Sequence, residues 1–567
     1  MLLFLLVPLE FLLPGYAWVC FSGLEKRFGI VETLVISFIL SVCLTSLLTA
    51  GLSLVTSHYL SYSVGGSLGL FLILLFISFR HRARVRGSLP RLNRSMFTVL
   101  ATACVYAATL AIAFWSSPFY PTADAFDPIT HAQVVEAISD GFARTTLLHS
   151  NFPIGMHFAA AALGALMGLG SLNAIRFLLS MVIVVSVFLT YFLARNVLGS
   201  NYANFAVIAS AFIVPADAIH FIKVGTFPNI LSDALVIATL WLVACYTREP
   251  NRSLGLTLTF LVIMGLFVHS TFLIFLAALW LALPVFYVSN RRLFRNYLKC
   301  LFFATVGLFV LFVLLGSFMS ASFGRIFSGY VASSFSSIPV FLYLQLLVYN
   351  YYVLAGPLGA LSVFAAFLFI LAKRRRAIWT MLLCVWFGIL MVAAIISPQG
   401  WRFILLSMVP GGLLSGALIG SLKERWLSSG RVHWSKARRI LVPILICVLI
   451  LSGGFVSLLP RVFDPASRTR EEAIVDSMSW LKQNDNGQGV ASVGLFPDYR
   501  YLTTLTSLPY AGDFNESANS TVATARSGNF AYVAVALQSP QFPTFQSSSM
   551  VEMKYRNSVV TIFFIPA

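Results

Sequence analysis

The sequence predicts a polytopic α-helical membrane protein of about 14 transmembrane helices with a small C-terminal extracytoplasmic α/β domain. Three observations carry that prediction. First, 59% of the 567 residues are hydrophobic, 10% are charged and the mean hydropathy is +0.87. Second, apolar runs recur from Leu2 to Leu459, each about 20 residues long and so able to cross a hydrocarbon core of roughly 30 Å. Third, composition turns polar near residue 461, which divides the chain into 1–460 in the membrane and 461–567 outside it.

Taken in order, the run at 2–22 reads as a retained helix. It has no basic stretch before it, carries Glu10 and Pro14, and leads straight into a second run, unlike a cleaved leader. Further spans follow at 30–54, 60–79 and 96–115, and then a long polar loop at 117–152. Beyond it come 172–194, 203–217, 229–246, 253–268, 271–288, 298–318, 350–372, 377–397, 402–421 and 440–459. Short basic clusters punctuate them: Arg80 to Arg94, Arg291 to Lys299, Lys373 to Arg376, and Lys423 to Arg439. Placing these clusters in the cytoplasm puts 25 of the 38 Lys and Arg residues there and the N-terminus outside. Parity then requires that 153–169 does not cross, so it reads as a re-entrant or interfacial helix, closing an outer region that runs to about 170.

The net charge of +18 belongs to these helix-orienting clusters and excludes a nucleic-acid-binding reading. The seven cysteines lie in or beside apolar runs, which argues for small apolar fillers over disulfides or a zinc site. In the C-terminal domain, a helix over 467–483 precedes strand-like runs at 490–496, 530–537 and 558–565. Asn515-Glu-Ser517 and Asn519-Ser-Thr521 fit the glycosylation acceptor pattern.

The residues that invite chemistry lie between Tyr120 and His157. This stretch gathers Asp124, Asp127, Glu136 and Asp140 with His131, His149 and His157, in a chain otherwise poor in charge. If 128–138 is helical, with Asp127 as N-cap and Pro128 next, Asp127 and His131 point the same way. Such a cluster can deprotonate a hydroxyl nucleophile or hold a divalent cation such as Mg or Mn, with Asp124 and Asp127 as the ligand pair. The plainer reading is a capping Asp127 in a solvated loop. His157 opens an apolar segment behind Asn151-Phe-Pro-Ile-Gly155, where a histidine faces a cavity or a partner; His149 reads as loop. The topology sets Asp217, His220, Lys223, Asp233, His269, Arg325, Gln399 and Arg402 on the same outer side. Arg402, His269, Lys223 and His220 are candidates for holding a phosphate, as against an interfacial anchor at Arg402 or helix-end polarity elsewhere.

The order acidic loop, Asp127-x-x-x-His131, then Phe152-Pro-x-Gly-x-His157 heading an apolar helix resembles archaeal and actinobacterial membrane proteins of the GT-C glycosyltransferase superfamily. Phe11-Leu-Leu-Pro-Gly-Tyr16 followed by Leu24-Glu-Lys-Arg27 is similar to the opening of archaeal members. The resemblance implies an enzyme that moves a sugar from a polyprenyl-phosphate donor to a glycan, lipid or protein acceptor on the outer face. It implies Asp127 as catalytic carboxylate, with Asp124 as its partner or the base itself, and His131 and His157 orienting the carboxylate or touching the donor phosphate. The chain departs from the family in separating Asp124 and Asp127 by Ala-Phe, and it lacks the Trp-Trp-Asp-Tyr-Gly motif of oligosaccharyltransferases. A site facing away from the cytoplasmic nucleotide pool argues against nucleotide-sugar use. A lipid-linked-sugar transporter or flippase, or a non-catalytic scaffold of an envelope-glycan complex, is the alternative. No internal repeat of the kind transporters carry is visible.

Overall fold

In the membrane part, helices meet where side chains are smallest, because lipid supplies no hydrophobic drive to push apolar helices together. The computed structural model describes residues 7, 10–80, 94–115, 127–149, 153–214, 227–331, 340–372, 378–396, 400–428, 435–456, 459, 465–484, 488–495, 510–514 and 517–566. The chain divides into two compact units, one of 1–107, 137–222 and 226–459, the other of 108–136, 223–225 and 460–567.

The first unit is helical. Its N-terminal pair is α1 (Leu13–Phe21) and α2 (Ile30–Ser53), followed by α3 (Tyr59–Arg80) and α4 (Arg94–Trp115), whose last residues belong to the second unit. Beyond α5 (Asp127–Ala137) come α6 (Ala143–His149), α7 (Gly155–Met167), α8 (Ser171–Val197) and α9 (Ser200–Ile208), which runs into a π-helical turn at Ala209–Ile213. Next are α10 (Phe227–Arg248), α11 (Arg252–Val268), α12 (Phe272–Leu281) and α13 (Leu283–Ser289). The series closes with α14 (Arg291–Val331), α15 (Val340–Ala372), α16 (Ile378–Ile396), α17 (Gly400–Ser428) and α18 (Ser435–Leu451). Among the described residues, seven helices are long and apolar enough to cross a membrane. The expected spans at 253–268 and 271–288 form shorter apolar helices, the latter divided at Ala282 ahead of Pro284. The expected span 298–318 lies inside the 41-residue α14. The span 350–372 is part of a longer α15, broken where Gly356 takes φ 72 just before Pro357.

Glycine governs the closest contacts. On α17, Gly412, Gly416 and Gly420 fall four residues apart and press on Ser210, Ala206 and Tyr202 of the α9 segment. A Cβ at Gly416 would sit 2.3 Å from the Ala206 Cα. In the same way Gly15 of α1 lies on the Ser37 carbonyl of α2, and its N–H donates to Ser41 Oγ at 2.8 Å. Thr33, Ser37, Ser41, Thr45, Thr49 and Ser53 recur every four residues along α2, and all are buried. The Thr45 hydroxyl donates to the buried Glu10 carboxylate at 3.1 Å. Tyr106 of α4 donates its hydroxyl to the Ala211 carbonyl in the π turn at 2.6 Å. Ion pairs Arg195–Glu32 and Arg27–Glu249 tie helix ends together.

In the second unit, helix α19 (Pro465–Asn484) precedes a five-stranded sheet. The strands are β1 (Val490–Val493), β2 (Tyr510–Phe514), β3 (Tyr532–Ala536), β4 (Glu552–Arg556) and β5 (Val560–Phe564), with α20 (Ala518–Ser527) before β3 and α21 (Phe542–Gln546) after it. Their order is β2-β1-β3-β5-β4; β1 pairs in parallel with β2 and β3, while β5 pairs antiparallel with β3 and β4. Val493, Val522, Ala525, Val533, Val535, Phe545 and Phe563 build one core. The expected helix and three strand-like runs are present, while β2, β4 and α20 were not anticipated. β4 is an edge strand reading Glu-Met-Lys-Tyr-Arg and largely exposed, so it shows no apolar run to find.

The glycine contact on α17 makes a prediction. Gly416→Leu is expected to destabilise the detergent-solubilised protein by about 1–3 kcal/mol through overpacking. Gly388→Leu, at a position with open space around it, is expected to leave the thermal midpoint nearly unchanged.

Candidate functional site

The polar stretch expected as loop is mostly helix. α5 starts at Asp127 with Pro128 behind it, where a proline costs no hydrogen bond. Its 11 residues hold Asp127 and His131 one turn apart, on one face. His131 is buried at 9% exposure. The Asp127 side chain, and Asp124 as a whole, lie outside the described residues. The chain then passes through a π-helical turn at Ile138–Phe142, broken by Gly141 at φ 97, into α6. The Ile138 carbonyl accepts the hydroxyl of buried Tyr59. His149, expected in a loop, is the last residue of helix α6, which continues past the polar Thr145 and Thr146.

α7 fulfils the expectation of a helix within 153–169. Its 13 residues extend roughly 20 Å, short of a bilayer core. Gly155 at its start packs against the end of α11: a Cβ there would lie 2.8 Å from the Phe267 ring and 3.0 Å from its carbonyl oxygen. Ser46 of α2 donates to the Gly155 carbonyl from the other side. His157 and His269 each lie two residues beyond one partner of the Gly155–Phe267 contact. His157 is completely buried, and burial pushes its imidazole down to about 3. It is neutral at neutral pH and can hydrogen-bond without supplying positive charge. His269 caps α11 and is partly exposed; its Nδ1 accepts the Thr271 N–H at 3.1 Å and meets the Thr271 hydroxyl at 2.7 Å. A lone pair used at Nδ1 leaves the proton of the neutral ring on Nε2.

Other polar groups sit near helix starts. Asp233 is 3% exposed in the second turn of α10, next to fully buried Ser232 and one turn from buried Asn229. Arg176, in the second turn of α8, is also buried, with Nη1 3.4 Å from Asn173 Oδ1. Sequence reasoning passed over Arg176. Its signal was a guanidinium between Ile175 and Phe177 within an apolar run, the same signal that marked Asp233. Arg402 falls in the first turn of α17 and is placed by its backbone alone. Lys223, His220 and Asp217 lie outside the described residues. Among the described residues no group of three or more metal-ligating side chains converges; the expected cation ligands, Asp124 and the Asp127 carboxylate, lie outside those residues. A cavity of about 40 Å³ between α4, α8, α9 and α10 is lined by Tyr106, Ser186, Thr190, Ser210 and aliphatic neighbours, with no carboxylate or imidazole.

His157 carries a pH prediction. An unfolded histidine takes up a proton near 6.5, whereas this one stays neutral to about 3 in the folded chain. Between those values the unfolded state binds more protons, so stability falls as pH drops through the window. His157→Gln is expected to flatten that slope in thermal unfolding measured from pH 6.5 to 4.

No protein-family model matches the chain, and no curated protein matches it in sequence. Solved structures do. The oligosaccharyltransferase of Archaeoglobus fulgidus, tethered to an acceptor peptide containing the NVT sequon, superposes with a TM-score of 0.54 at 13% identity, over 78% of this chain and 69% of that one. The same organism's AglB, in complex with an inhibitory peptide and a dolichol-phosphate, gives 0.51 at 11% identity over the same shares. ArnT from Cupriavidus metallidurans, bound to undecaprenyl phosphate, gives 0.54 at 12% identity, over 83% of this chain and 98% of ArnT. At such identities the likeness speaks for architecture: this chain has the fold of the GT-C glycosyltransferase superfamily, which its sequence motifs resemble.

Proposed function

We propose that this protein is an integral membrane glycosyltransferase, moving a sugar from a polyprenyl-phosphate donor to an acceptor on the extracytoplasmic face. The observation that carries the reading is the correspondence with nearly the whole of ArnT, whose structure holds undecaprenyl phosphate. AglB, with a bound dolichol-phosphate, supports the same donor chemistry on the same fold. The helical spacing of Asp127 and His131 adds a carboxylate and an imidazole on one face of α5.

In this mechanism Asp127 takes the proton of the acceptor hydroxyl, with Asp124 assisting or serving as the base. The acceptor oxygen bonds to the anomeric carbon as the bond from that carbon to the phosphate oxygen breaks, inverting its configuration. The phosphate leaves with the electron pair and needs donors beside it. Arg402 is proposed for that role, in the first turn of a 29-residue helix where free backbone N–H groups also favour anions. His269, through Nε2–H, is proposed as a second donor, while neutral His157 acts by hydrogen bonding. Lys223 and His220 complete the proposed phosphate-binding set, and the acceptor is a glycan, lipid or protein.

Two measurements test the reading. With a panel of polyprenyl-phosphate monosaccharides and detergent-purified protein, turnover of one donor is expected, reduced about 10²–10⁴-fold by Asp127→Asn with folding retained. An unchanged rate in that variant, with loss in Asp124→Asn, would move the base to Asp124; no turnover with any donor would sink the enzyme reading. Arg402→Ala is expected to cost about 10²–10³-fold in kcat through the leaving group, with Arg402→Lys recovering part of it.

A further inference from the structure

Helix α20 of the second unit buries Ala518, Thr521, Val522 and Ala525, the spacing of one apolar face. Two hydroxyl residues at its start differ in what the fold needs from them. Ser517 is the N-cap, and its Oγ accepts the Ser520 N–H at 3.4 Å, so folding accounts for it. Thr521 is completely buried, yet its Oγ1 meets no hydrogen-bond partner among the described residues. A buried hydroxyl in that state costs stability, because its lost hydration is not replaced. Valine has the same shape without that cost, and a β-branched residue is in any case a modest helix former. Thr561 is also buried with no hydrogen-bond partner among the described residues, but it lies in β5, where a β-branched side chain suits the strand. The packing of α20 therefore gives no reason for an oxygen at position 521.

A reason lies two residues earlier. Asn519 is exposed, is followed by exposed Ser520, and with Thr521 completes an Asn-x-Thr acceptor. We infer that Asn519 carries an N-linked glycan, attached before α20 folds. Once the helix has formed, Asn519 lies in solvent and Thr521 in the core, so no enzyme can hold both; the unfolded segment presents them together. The reaction joins the Asn519 amide nitrogen to the anomeric carbon of a lipid-phosphate-linked oligosaccharide. The bond from that carbon to the phosphate oxygen breaks, the lipid phosphate leaves with the electron pair, and the amide proton passes to a base of the transferring enzyme. The acceptor triplet at Asn515 ends on Ser517, whose hydroxyl the cap explains, and Asn515 itself lies outside the described residues. The inference rests on the extracytoplasmic placement that the sequence predicts for residues 461–567, the same face on which the proposed transfer takes place.

The test uses full-length protein purified from its native membranes. Peptide mass spectrometry is expected to find a glycan at Asn519 that disappears in Asn519→Gln and Thr521→Val but persists in Thr521→Ser and Asn515→Gln. Thr521→Val is expected to keep or raise the thermal midpoint, which separates loss of the acceptor from loss of the fold. Labelling of Ser527→Cys by a membrane-impermeant thiol reagent, over the background of the unsubstituted chain, reads the side of the membrane. External labelling with Asn519 unmodified, or a glycan retained in Thr521→Val, would overturn this inference and leave the proposed function standing. Protection from external reagent would overturn both this inference and the sidedness beneath it.

Discussion

Backbone-to-backbone contact at residues without side chains is the constraint on which the membrane part depends. Two apolar helices in lipid gain little from touching unless they approach closely enough for dispersion and short polar contacts to act. Gly15 on Ser37, Gly155 on Phe267 and Gly416 on Ala206 provide that approach at separate places in the bundle. A Cβ at any of them would overlap a neighbouring atom, and the helix would have to move. The Gly155 contact also brings the start of α7 to the end of α11, with a histidine two residues beyond each partner.

Around that frame, polar groups are distributed by what burial permits. His157 is accepted in a closed interior as a neutral ring, with its pKa depressed by desolvation. Glu10 is held through the Thr45 hydroxyl, within a series of hydroxyls that α2 presents along its whole length. Arg176 and Asp233 are buried close to the starts of α8 and α10. Within the first unit, the neutral His157 ring and the partly exposed His269, whose Nδ1 is engaged by Thr271, differ in what burial allows them to do: the one is closed off from water, the other keeps Nε2 free of that contact.

An architecture shared at 11–13% identity shows how little of a membrane bundle's sequence its fold requires. Apolar residues exchange freely when they face lipid, whereas chemistry is confined to a few polar positions near helix ends. Function on a common fold then rests on those positions. The acidic stretch before α7 is where this chain concentrates them.

What the sequence determined by itself was whatever depends on neighbours along the chain. Apolar run lengths marked the membrane class, helix periodicity placed Asp127 and His131 on one face, and the short run before α8 emerged as a helix of 13 residues. Strands β1, β3 and β5 were legible because each is buried and apolar. Tertiary structure alone decided what depends on distant partners. The polar edge strand β4 exists because β5 pairs with it; residues 108–136 join the C-terminal unit across hundreds of positions of sequence. The burial of Arg176, the depressed pKa of His157 and the burial of Thr521 likewise depend on side chains far away in the sequence. Local pattern encodes the propensity and the period of an element, but contact between elements is a property of the packed chain, and burial and electrostatics follow from contact.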